Sequence, residues 1–506
     1  MAIIPLRGGV QPFCAPSSLK THQGPGLPRP KRDHGIGDMM PKTVLAFSDP
    51  GSQRNEEDFQ GIHQNRMNKR DFNHAMASMG LLGTLGLLPE AATAQNSSTR
   101  GAAMPQSAQL SQAHVVVVGA GFAGCTVAKT LRQLSKNTLR VTLVEPNSNF
   151  LMLALSNLVL GASEPFAHFT QALAPLTKAH GIDWIQDRAV GLEPQKKTLK
   201  LANASTLTYD KLVLCPGVEL VLDAVEGLNE AKQTSRIVQA WGNDLELQVL
   251  KRQLLEMPNG GTFAIAIPPS PFKCPPGPYE RASQVAHYLL THKPQSRVLV
   301  LDANQDLLSN AAHFKRYWAE HYAHIIEYRP DHLVTGVDAK SLTLSFEVQD
   351  DVQVQVANVL PPMRAQAIAR EAGMANVNDK WCEVNFLNFE SRLQRDVHIL
   401  GDAIQGAPLM PKSGHMAHAQ GLVLAKAIVA ELSLQLPDPN AQLSNFCYSF
   451  LNDHAALHLE SLHRYDPKAR TYQLIPGSNK PSPAPSVEQG QAAWRWAAQM
   501  WDDLLS

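Results

Sequence analysis

The sequence predicts an α/β protein with doubly wound sheets, and three features of the 506-residue chain indicate this fold class. The first feature is a strand, a glycine-rich turn, a helix and a second strand within residues 114–145. The second is a further strand–helix–strand run within residues 261–302, and the third is a late apolar strand that ends in Gly401 and Asp402. A chain of this length exceeds what one hydrophobic core usually holds, so we expect at least two domains.

The first unit has the pattern of a dinucleotide site. Its strand His114–Val118 runs into the turn GAGFAG, where Gly119 permits the tight turn and Gly121 lets a pyrophosphate approach the backbone. Gly124 lets helix and strand pack closely, and Glu145 ends the next strand, where an acid binds ribose hydroxyls. The alternative is a strand–turn–helix unit without a nucleotide. The predicted cofactor-binding residues of this unit are Gly119, Gly121, Phe122, Ala123, Gly124 and Glu145.

Two later motifs favour FAD over NAD in this site. The stretch VHILGDA at residues 397–403 resembles the late motif of two-dinucleotide flavoproteins, in which the aspartate, here Asp402 after Gly401, holds the ribityl chain. The stretch YDKLVLCPG at residues 209–217 resembles their middle motif. The order of the three motifs predicts a two-dinucleotide-binding-domain flavoprotein of the glutathione-reductase-like type.

The stretch SPFKCPPGPYERASQ, residues 270–284, stands where such flavoproteins carry a second glycine loop for NAD(P)H. Prolines lack a backbone N–H, so this stretch cannot wrap a phosphate in amides, and we expect nicotinamide binding to be lost. It places Cys274 at the carboxyl end of a strand, where doubly wound sheets bind ligands. Cys382 is a candidate second thiol of a redox pair, but the sequence leaves this pairing open. Cys125 and Cys215 are interpreted as small buried apolar residues.

Composition excludes several classes of function. The 45 basic and 45 acidic residues cancel, and no basic run is interleaved with aromatic residues, so we expect no nucleic-acid partner. No pair of cysteines has the spacing of a zinc site, and no haem-attachment motif is present, so we expect no metal. Small molecules or proteins remain as partners.

Residues 67–94 have the features of an export signal. A basic start with Lys69 and Arg70 resembles the twin-arginine pattern with lysine in the first place, and an apolar run follows at residues 75–88. That run is too short to cross a bilayer, so we expect a periplasmic protein without an integral membrane segment. A buried or amphipathic helix is the alternative.

Residues 1–66 are rich in glycine, proline and basic residues and have no apolar periodicity. We interpret them as an extension upstream of the true start at Met67, with a disordered arm as the alternative.

Several stretches together resemble the flavoprotein subunit of flavocytochrome c sulfide dehydrogenase and, more distantly, sulfide:quinone reductases. They are FKCPPGPYERASQVAHYL, PPMRAQAIAREAG, WCEVNFLNFES, VHILGDA and MPKSG, and the resemblance runs from about residue 114 to at least residue 448. The resemblance implies that Cys274 and Cys382 flank the flavin as a disulfide that hydrosulfide, or another small thiol, attacks. It also implies that FAD passes electrons singly to a c-type cytochrome subunit.

One position departs from this family. Leu153 stands where the family has the cysteine that bonds covalently to FAD, so we predict a non-covalent cofactor. Lys412, in MPKSG, is expected to stabilise the reduced flavin anion, with a solvated loop lysine as the equal alternative. Glu280 and Arg281 are expected to form a salt bridge at a helix start, or else to steer or deprotonate substrate.

The motif order also predicts the domain boundaries. Residues 107–217 and 355–435 are assigned to the FAD-binding domain, and residues 218–354 to a second nucleotide-fold domain. Residues 436–506, which contain three tryptophans, are assigned to a C-terminal partner-interface region. Two other functions stay open: a quinone-reducing flavoenzyme, and a flavin-binding subunit that has lost catalysis.

Overall fold

The computed structural model describes residues 110–161, 164–242 and 244–506. The interpretations of residues 1–66 as an extension and of residues 67–94 as an export signal lie outside these residues.

A seven-stranded sheet forms the centre of the flavin domain. Five consecutive strands of this sheet are parallel. His114–Val118 pairs with Lys211–Leu214 on one side and with Arg140–Val144 on the other. These two neighbours pair in turn with Val397–Ile399 and with Asp183–Ile185. Two short antiparallel strands extend one edge, so the sheet is mixed. In spatial order the strands are Val384–Asn385, Glu390–Ser391, Val397–Ile399, Lys211–Leu214, His114–Val118, Arg140–Val144 and Asp183–Ile185.

The apolar runs of these strands explain their central position. Strands that are covered by helices on both faces lose the alternation of polar and apolar residues, and Val115, Val116 and Val117 are all fully buried. The helix Phe122–Leu134, here called the phosphate helix, packs beside the helix Gly414–Leu432. A β-carbon on Gly421 would stand 3.0 Å from Thr126, so the two helices approach closely at this point.

A second sheet of four parallel strands forms the other domain. Its strands in spatial order are Ile326–Arg329, Arg297–Asp302, Thr262–Ile267 and Val356–Val359. The last strand lies beyond the boundary that we predicted at residue 354, because a short apolar strand gives no sign of which sheet it joins. The helix Gly277–His292, here called the cysteine helix, follows the strand Thr262–Ile267, as the sequence predicts for a parallel unit.

The chain crosses between the two domains through one antiparallel ribbon, in which Val218–Leu220 pairs with Met363–Ala365. The second sheet is thus formed by residues that lie between these two strands in the chain. These results confirm the two-domain α/β fold class.

The C-terminal region is an antiparallel sheet of two long and two short strands, followed by a helix. The strands are Gln442–Phe450, Ala456–Asp466, Thr471–Leu474 and Lys480–Pro481. The helix Val487–Leu505 buries Ala493, Ala497, Met500 and Leu504. Among the described residues, no helix has both the length and the apolar character needed to span a membrane.

The remaining elements connect these parts. The other helices are Leu158–Gly161, Ala174–His180, Leu228–Gln233, Asp244–Glu256, Ala311–His321 and Ala367–Glu371. The other strands are Asn149–Leu151, Thr170–Ala172, Ala189–Glu193, Thr198–Leu201, Thr206–Thr208, Val334–Asp338, Thr343–Phe346 and Val352–Gln353.

Candidate active site

The predicted phosphate turn requires glycine for steric reasons. A β-carbon on Gly124 would stand 1.8 Å from the carbonyl oxygen of Gly119, which itself has a φ of +92°. At Gly121 a β-carbon would meet nothing within 4 Å, so this side of the turn is open to a ligand. The Ala120 N–H donates to the Glu145 carboxylate at 2.9 Å, which fixes the turn to the end of the neighbouring strand.

Asp402 lies at the other predicted flavin motif. Its Oδ1 atom is buried and has no hydrogen-bond partner, and burial raises the pKa of this carboxyl group although Lys273 and Lys412 oppose the shift. Buried polar atoms are normally paired, so an unpaired acceptor indicates a missing donor. The hydroxyl groups of a ribityl chain are such donors. Together with the open glycine turn, this unpaired oxygen fits FAD, which would be held by the turn at Gly121 and by Asp402.

A cavity of about 140 Å³ extends from Asp402 towards the second domain and the C-terminal region. Both positive and negative side chains contribute to its wall, and so do two thiols. Phe122 and Leu153 line it on the flavin-domain side, and Ala123 is buried behind the turn. The charged and sulfur-containing residues of the wall are Lys273, Cys274, Glu280, Arg281, Asp402, Lys412 and Cys447.

Cys274 lies in this wall in a strained backbone conformation. Its φ is +56°, a region that residues other than glycine seldom adopt and that is concentrated at functional sites. Its N–H donates to the Lys412 carbonyl at 2.7 Å, and its own carbonyl accepts from the Gly277 N–H at 2.9 Å. A β-carbon on Gly277 would stand 2.9 Å from the Cys274 sulfur, so only glycine fits at the start of the cysteine helix. Burial raises the pKa of the thiol, which is neutral at pH 7.

Cys382 is fully buried and is held by the flavin-domain segment that follows Asp402. Its N–H donates to the Ala403 carbonyl at 3.0 Å, and its carbonyl accepts from the Gln405 N–H at 2.8 Å. Burial raises the pKa of its thiol to about 12, while Lys412 acts in the opposite direction. Cys274 and Cys382 are both free thiols in this structure, so their disulfide remains a prediction.

Lys412 contacts the surroundings of both cysteines. Its carbonyl accepts from Cys274, as described above, and its ammonium group lies 3.8 Å from the centre of the Trp381 ring, next to Cys382. The ammonium also donates to the carbonyls of Asp402 at 2.9 Å and Ile404 at 2.6 Å. Lys412 is therefore buried, and it is not a solvated loop lysine. Burial lowers its pKa to about 8, so the charged form still predominates at neutral pH.

Glu280 and Arg281 do not form the expected salt bridge, since no direct ion pair joins them within the described part of the chain. Both are buried, and the side chain of Asn157 connects them: its amide donates to Glu280 at 2.9 Å and accepts from Arg281 Nε at 3.0 Å. The expectation was wrong because consecutive helix residues point in different directions, so each of the two side chains forms its hydrogen bonds with other residues. Burial raises the pKa of Glu280 to about 7.

Arg281 is held by further contacts that sequence reasoning did not find. Its guanidinium donates to Asn358 Oδ1 at 2.8 Å and lies 4.7 Å from the Trp241 ring. The only sequence signal for Asn157 was an asparagine within an apolar run, LSNLVLG. Nothing in the sequence indicated that Cys447, far along the chain, reaches the cavity.

Asp302 stands in the second domain at the position where an acid would bind a nicotinamide ribose. Asp302 ends its strand, but its Oδ2 atom accepts from Tyr279 Oη at 2.8 Å and from Tyr328 Oη at 3.1 Å. Its Oδ1 atom accepts from the side chain of Asn304 at 2.7 Å. The protein's own donors thus hydrogen-bond to both carboxylate oxygens of Asp302.

Three family models match this chain. A pyridine nucleotide-disulphide oxidoreductase model matches residues 113–254. The central model of the sulfide dehydrogenase (flavocytochrome c) flavoprotein chain matches residues 247–361, and the flavocytochrome c sulphide dehydrogenase flavin-binding model matches residues 439–505.

Individual relatives are more distant. The mitochondrial sulfide:quinone oxidoreductase of Mus musculus is 22% identical over 57% of this chain and 65% of its own length. The sulfide-quinone reductase of Aquifex aeolicus (strain VF5) is 33% identical over 23% of this chain and 27% of its own length. The matches thus cover less than two thirds of these relatives.

Solved structures share the fold. The sulfide:quinone oxidoreductase of Aquifex aeolicus superposes with a TM-score of 0.64 at 19% identity, over 78% of this chain and 92% of that one. A putidaredoxin reductase–putidaredoxin complex gives a TM-score of 0.54 at 17% identity, over 70% of this chain and 88% of that chain.

Fold and site therefore define a flavin-binding oxidoreductase of the pyridine nucleotide-disulphide class. Within that class, the chain resembles the flavoprotein subunits of flavocytochrome c sulfide dehydrogenase, whose models match residues 247–361 and 439–505, and it is similar to sulfide:quinone reductases. This confirms the resemblance predicted from the sequence.

The unpaired oxygen of Asp402 gives a test of the cofactor site. We expect Asp402→Ala to weaken FAD binding about 10- to 100-fold, because a hydrogen bond to a charged group contributes about 1.5–3 kcal/mol. The measurement is the ratio of FAD to protein after gel filtration, followed by titration with FAD. Asp306→Asn is the matched control, since it removes only a surface ion pair with Lys315. Equal FAD affinity in Asp402→Ala and the native protein would contradict the assignment.

Proposed function

We propose that this chain is an exported, periplasmic, FAD-dependent sulfide dehydrogenase subunit. It oxidises hydrosulfide through a Cys274–Cys382 disulfide and passes the electrons to a c-type cytochrome subunit. The observation that carries the proposal is the position of Lys412. Its carbonyl accepts a hydrogen bond from the Cys274 N–H, and its ammonium group lies over the ring of Trp381, the residue before Cys382.

The backbones of the two cysteines form hydrogen bonds with opposite ends of the segment 402–412. Cys382 is hydrogen-bonded to Ala403 and Gln405, and Cys274 to Lys412, while Asp402 at the start of this segment is the predicted flavin ligand. A disulfide between them would therefore lie beside the cofactor, which supplies a two-electron acceptor when it is bound.

The charges of the cavity suit a small anion. Lys273, Arg281 and Lys412 contribute three basic groups, and burial raises the pKa of the Glu280 carboxyl to about 7, which reduces its negative charge. Hydrosulfide attacks the Cys274 sulfur, the S–S bond breaks, and Cys274 carries a persulfide while Cys382 leaves as a thiolate. The ammonium of Lys412 stabilises that thiolate, since it is the positive group that already lowers the Cys382 pKa.

The cytochrome acceptor and the location are inferred from the family resemblance and from the export signal predicted at residues 67–94. We place the partner at the C-terminal region, whose Tyr448 and Trp496 line the cavity wall. Electrons leaving the flavin singly suit a haem acceptor.

Quinone reduction is the second candidate, because the relatives named above are sulfide:quinone reductases. Quinone is met at a membrane surface, which requires an apolar face directed outwards. The helix Val487–Leu505 instead packs Ala497, Met500 and Leu504 into the protein. We therefore place the cytochrome acceptor first.

Anaerobic stopped-flow absorbance tests the disulfide mechanism. We expect sulfide to bleach the flavin of the native holoenzyme, and the bleaching rate to fall at least 100-fold in Cys382→Ser, because serine cannot form the disulfide. Cys125→Ser is the thiol control, since Cys125 is buried in the phosphate helix and lies outside the cavity wall. Native bleaching in Cys382→Ser would eliminate the mechanism. No bleaching in the native protein would favour another donor or a non-catalytic subunit.

The lack of a tethering cysteine predicts that FAD is bound without a covalent bond. Leu153 lines the cavity and has no group that can form a thioether. Acid precipitation should release all the flavin into the supernatant, as measured by its absorbance. Yellow colour that stays with the precipitate would show that the prediction is wrong.

The lowered pKa of Lys412 predicts a pH dependence. Its positive charge is present below pH 8 and is lost as the pH rises through about 8, so the rate of flavin reduction at saturating sulfide should fall over that range. Lys412→Arg keeps a charge at all accessible pH values and should remove this fall, whereas Lys412→Gln should be slow, by about tenfold or more, at every pH. An identical fall above pH 8 in all three proteins would assign it to another group.

A further inference from the structure

The cavity contains a second thiol that the proposed function does not use. Cys447 belongs to the strand Gln442–Phe450 of the C-terminal region, and it lines the same wall as Cys274, together with Phe446 and Tyr448. The two thiols come from parts of the chain that are far apart, and the fold brings both to one small cavity.

Cys447 is held in place by a buried amide. The side chain of Asn445 donates to the Cys447 sulfur at 3.4 Å, and the thiol donates back to Asn445 Oδ1 at 3.6 Å. Asn445 is 1% exposed, and its Oδ1 atom also accepts from Ser413 Oγ at 2.5 Å. Because Ser413 follows Lys412, the same segment that binds Cys274 also fixes the position of Cys447.

The Cys447 thiol acts electrostatically on Cys274. After burial, the Cys447 thiol is the group that raises the pKa of Cys274 most, ahead of Glu280. Both thiols also belong to the wall of the same small cavity. Cys274 therefore has one thiol neighbour within the cavity, while its proposed disulfide partner Cys382 is buried in the flavin domain.

We propose that Cys447 is a sulfane-sulfur acceptor that removes the outer sulfur atom from the Cys274 persulfide. This inference rests on the proposed function. The Cys447 sulfur attacks the outer sulfur, the bond between that atom and the Cys274 sulfur breaks, and the proton of the Cys447 thiol passes to Cys274. Cys447 then carries the persulfide, and no electrons leave the sulfur atoms in this step.

The transfer frees Cys274 for the next oxidation. Cys274 and Cys382 could then close their disulfide again, with loss of the Cys274 proton, and the FAD that the site would hold supplies the two-electron acceptor for this step. Before the next transfer, a second hydrosulfide or a small thiol from solution takes the outer sulfur atom from Cys447 and restores its thiol. Without Cys447, that nucleophile has to remove the sulfur atom from Cys274 itself before the disulfide can close. The geometry therefore assigns Cys447 to product removal: it holds the sulfane sulfur atom after this atom has left the Cys274–Cys382 pair.

Oxidative cross-linking tests the thiol pair without sulfide. In Cys382→Ser, treatment of the purified holoenzyme with one equivalent of diamide should produce a disulfide between Cys274 and Cys447, detected by peptide mass spectrometry. Cys125, in the phosphate helix, is the internal control and should remain alkylatable after the treatment. If peptides of Cys274 and Cys447 stay unlinked, the two thiols do not meet and the proposal is overturned.

Persulfide mapping tests the transfer itself. One equivalent of sulfide is added to the native holoenzyme, the thiols are alkylated, and the peptides are analysed for an added sulfur atom. We expect the sulfur on Cys447 in the native protein and on Cys274 in Cys447→Ser. Steady-state turnover with a one-electron acceptor should fall about tenfold in Cys447→Ser, and an added small thiol should restore it by taking the sulfur directly.

The outcomes separate the two proposals. If sulfide bleaches the native flavin but the sulfur stays on Cys274 in both proteins, with equal turnover, the role of Cys447 is wrong and the disulfide mechanism stands. If sulfide does not bleach the native flavin, the sulfide dehydrogenase proposal fails, and the transfer to Cys447 fails with it. Serine keeps the hydrogen bond to Asn445. If turnover of Cys447→Ser is slow and the added thiol does not restore it, the substitution has disturbed the packing of the cavity, and this result also overturns the proposal.

Discussion

The hydrogen bond from the Cys274 N–H to the Lys412 carbonyl, 2.7 Å long, is the contact on which the site depends. It joins the proline-walled loop of the second domain to the flavin-domain segment that begins at Asp402. The strained φ of Cys274 persists because this bond and the one from Gly277 hold the loop from both sides. Without it, the thiol of one domain would have no fixed position relative to the cofactor motif of the other.

Burial gives this junction its electrostatic character. Lys412, Glu280 and Arg281 are all removed from water, and each is compensated by carbonyls, amides or aromatic rings instead of by a direct ion pair. Uncompensated buried charge is costly, so these neutral partners are as necessary as the charges themselves. The result is a pocket with excess positive charge, in which an anionic nucleophile and a thiolate leaving group are both stabilised.

The sequence predicted the parts of the site that depend on local spacing. The glycine turn, the acid Glu145 and the Gly401–Asp402 motif each follow from one strand and the turn after it, and the prolines around Cys274 excluded a phosphate loop directly. The parts assembled by tertiary packing were not predictable in this way. Cys447 and Asn157 line the cavity, but no local sequence pattern indicates that their elements pack there. Lys412 is covered by the ring of Trp381, and the sequence does not indicate that these two residues are in contact.

The assignment of the domain ends shows the same limit. Val356–Val359 is an apolar strand like those of the flavin domain, and only its pairing with Thr262–Ile267 shows that it belongs to the second sheet. Likewise, the C-terminal region was expected to form a partner surface, and the structure shows that it also contributes to the cavity wall.

The central claim is that Cys274 and Cys382 form the redox disulfide, and peptide mapping of the oxidised native holoenzyme tests it most directly. The protein is alkylated under denaturing conditions without reductant, digested and analysed by mass spectrometry. We expect a linked pair of peptides that contain Cys274 and Cys382 and that separate after reduction, with Cys125 alkylated throughout. Full alkylation of both Cys274 and Cys382 before reduction, in protein that still reacts with sulfide, would contradict the account.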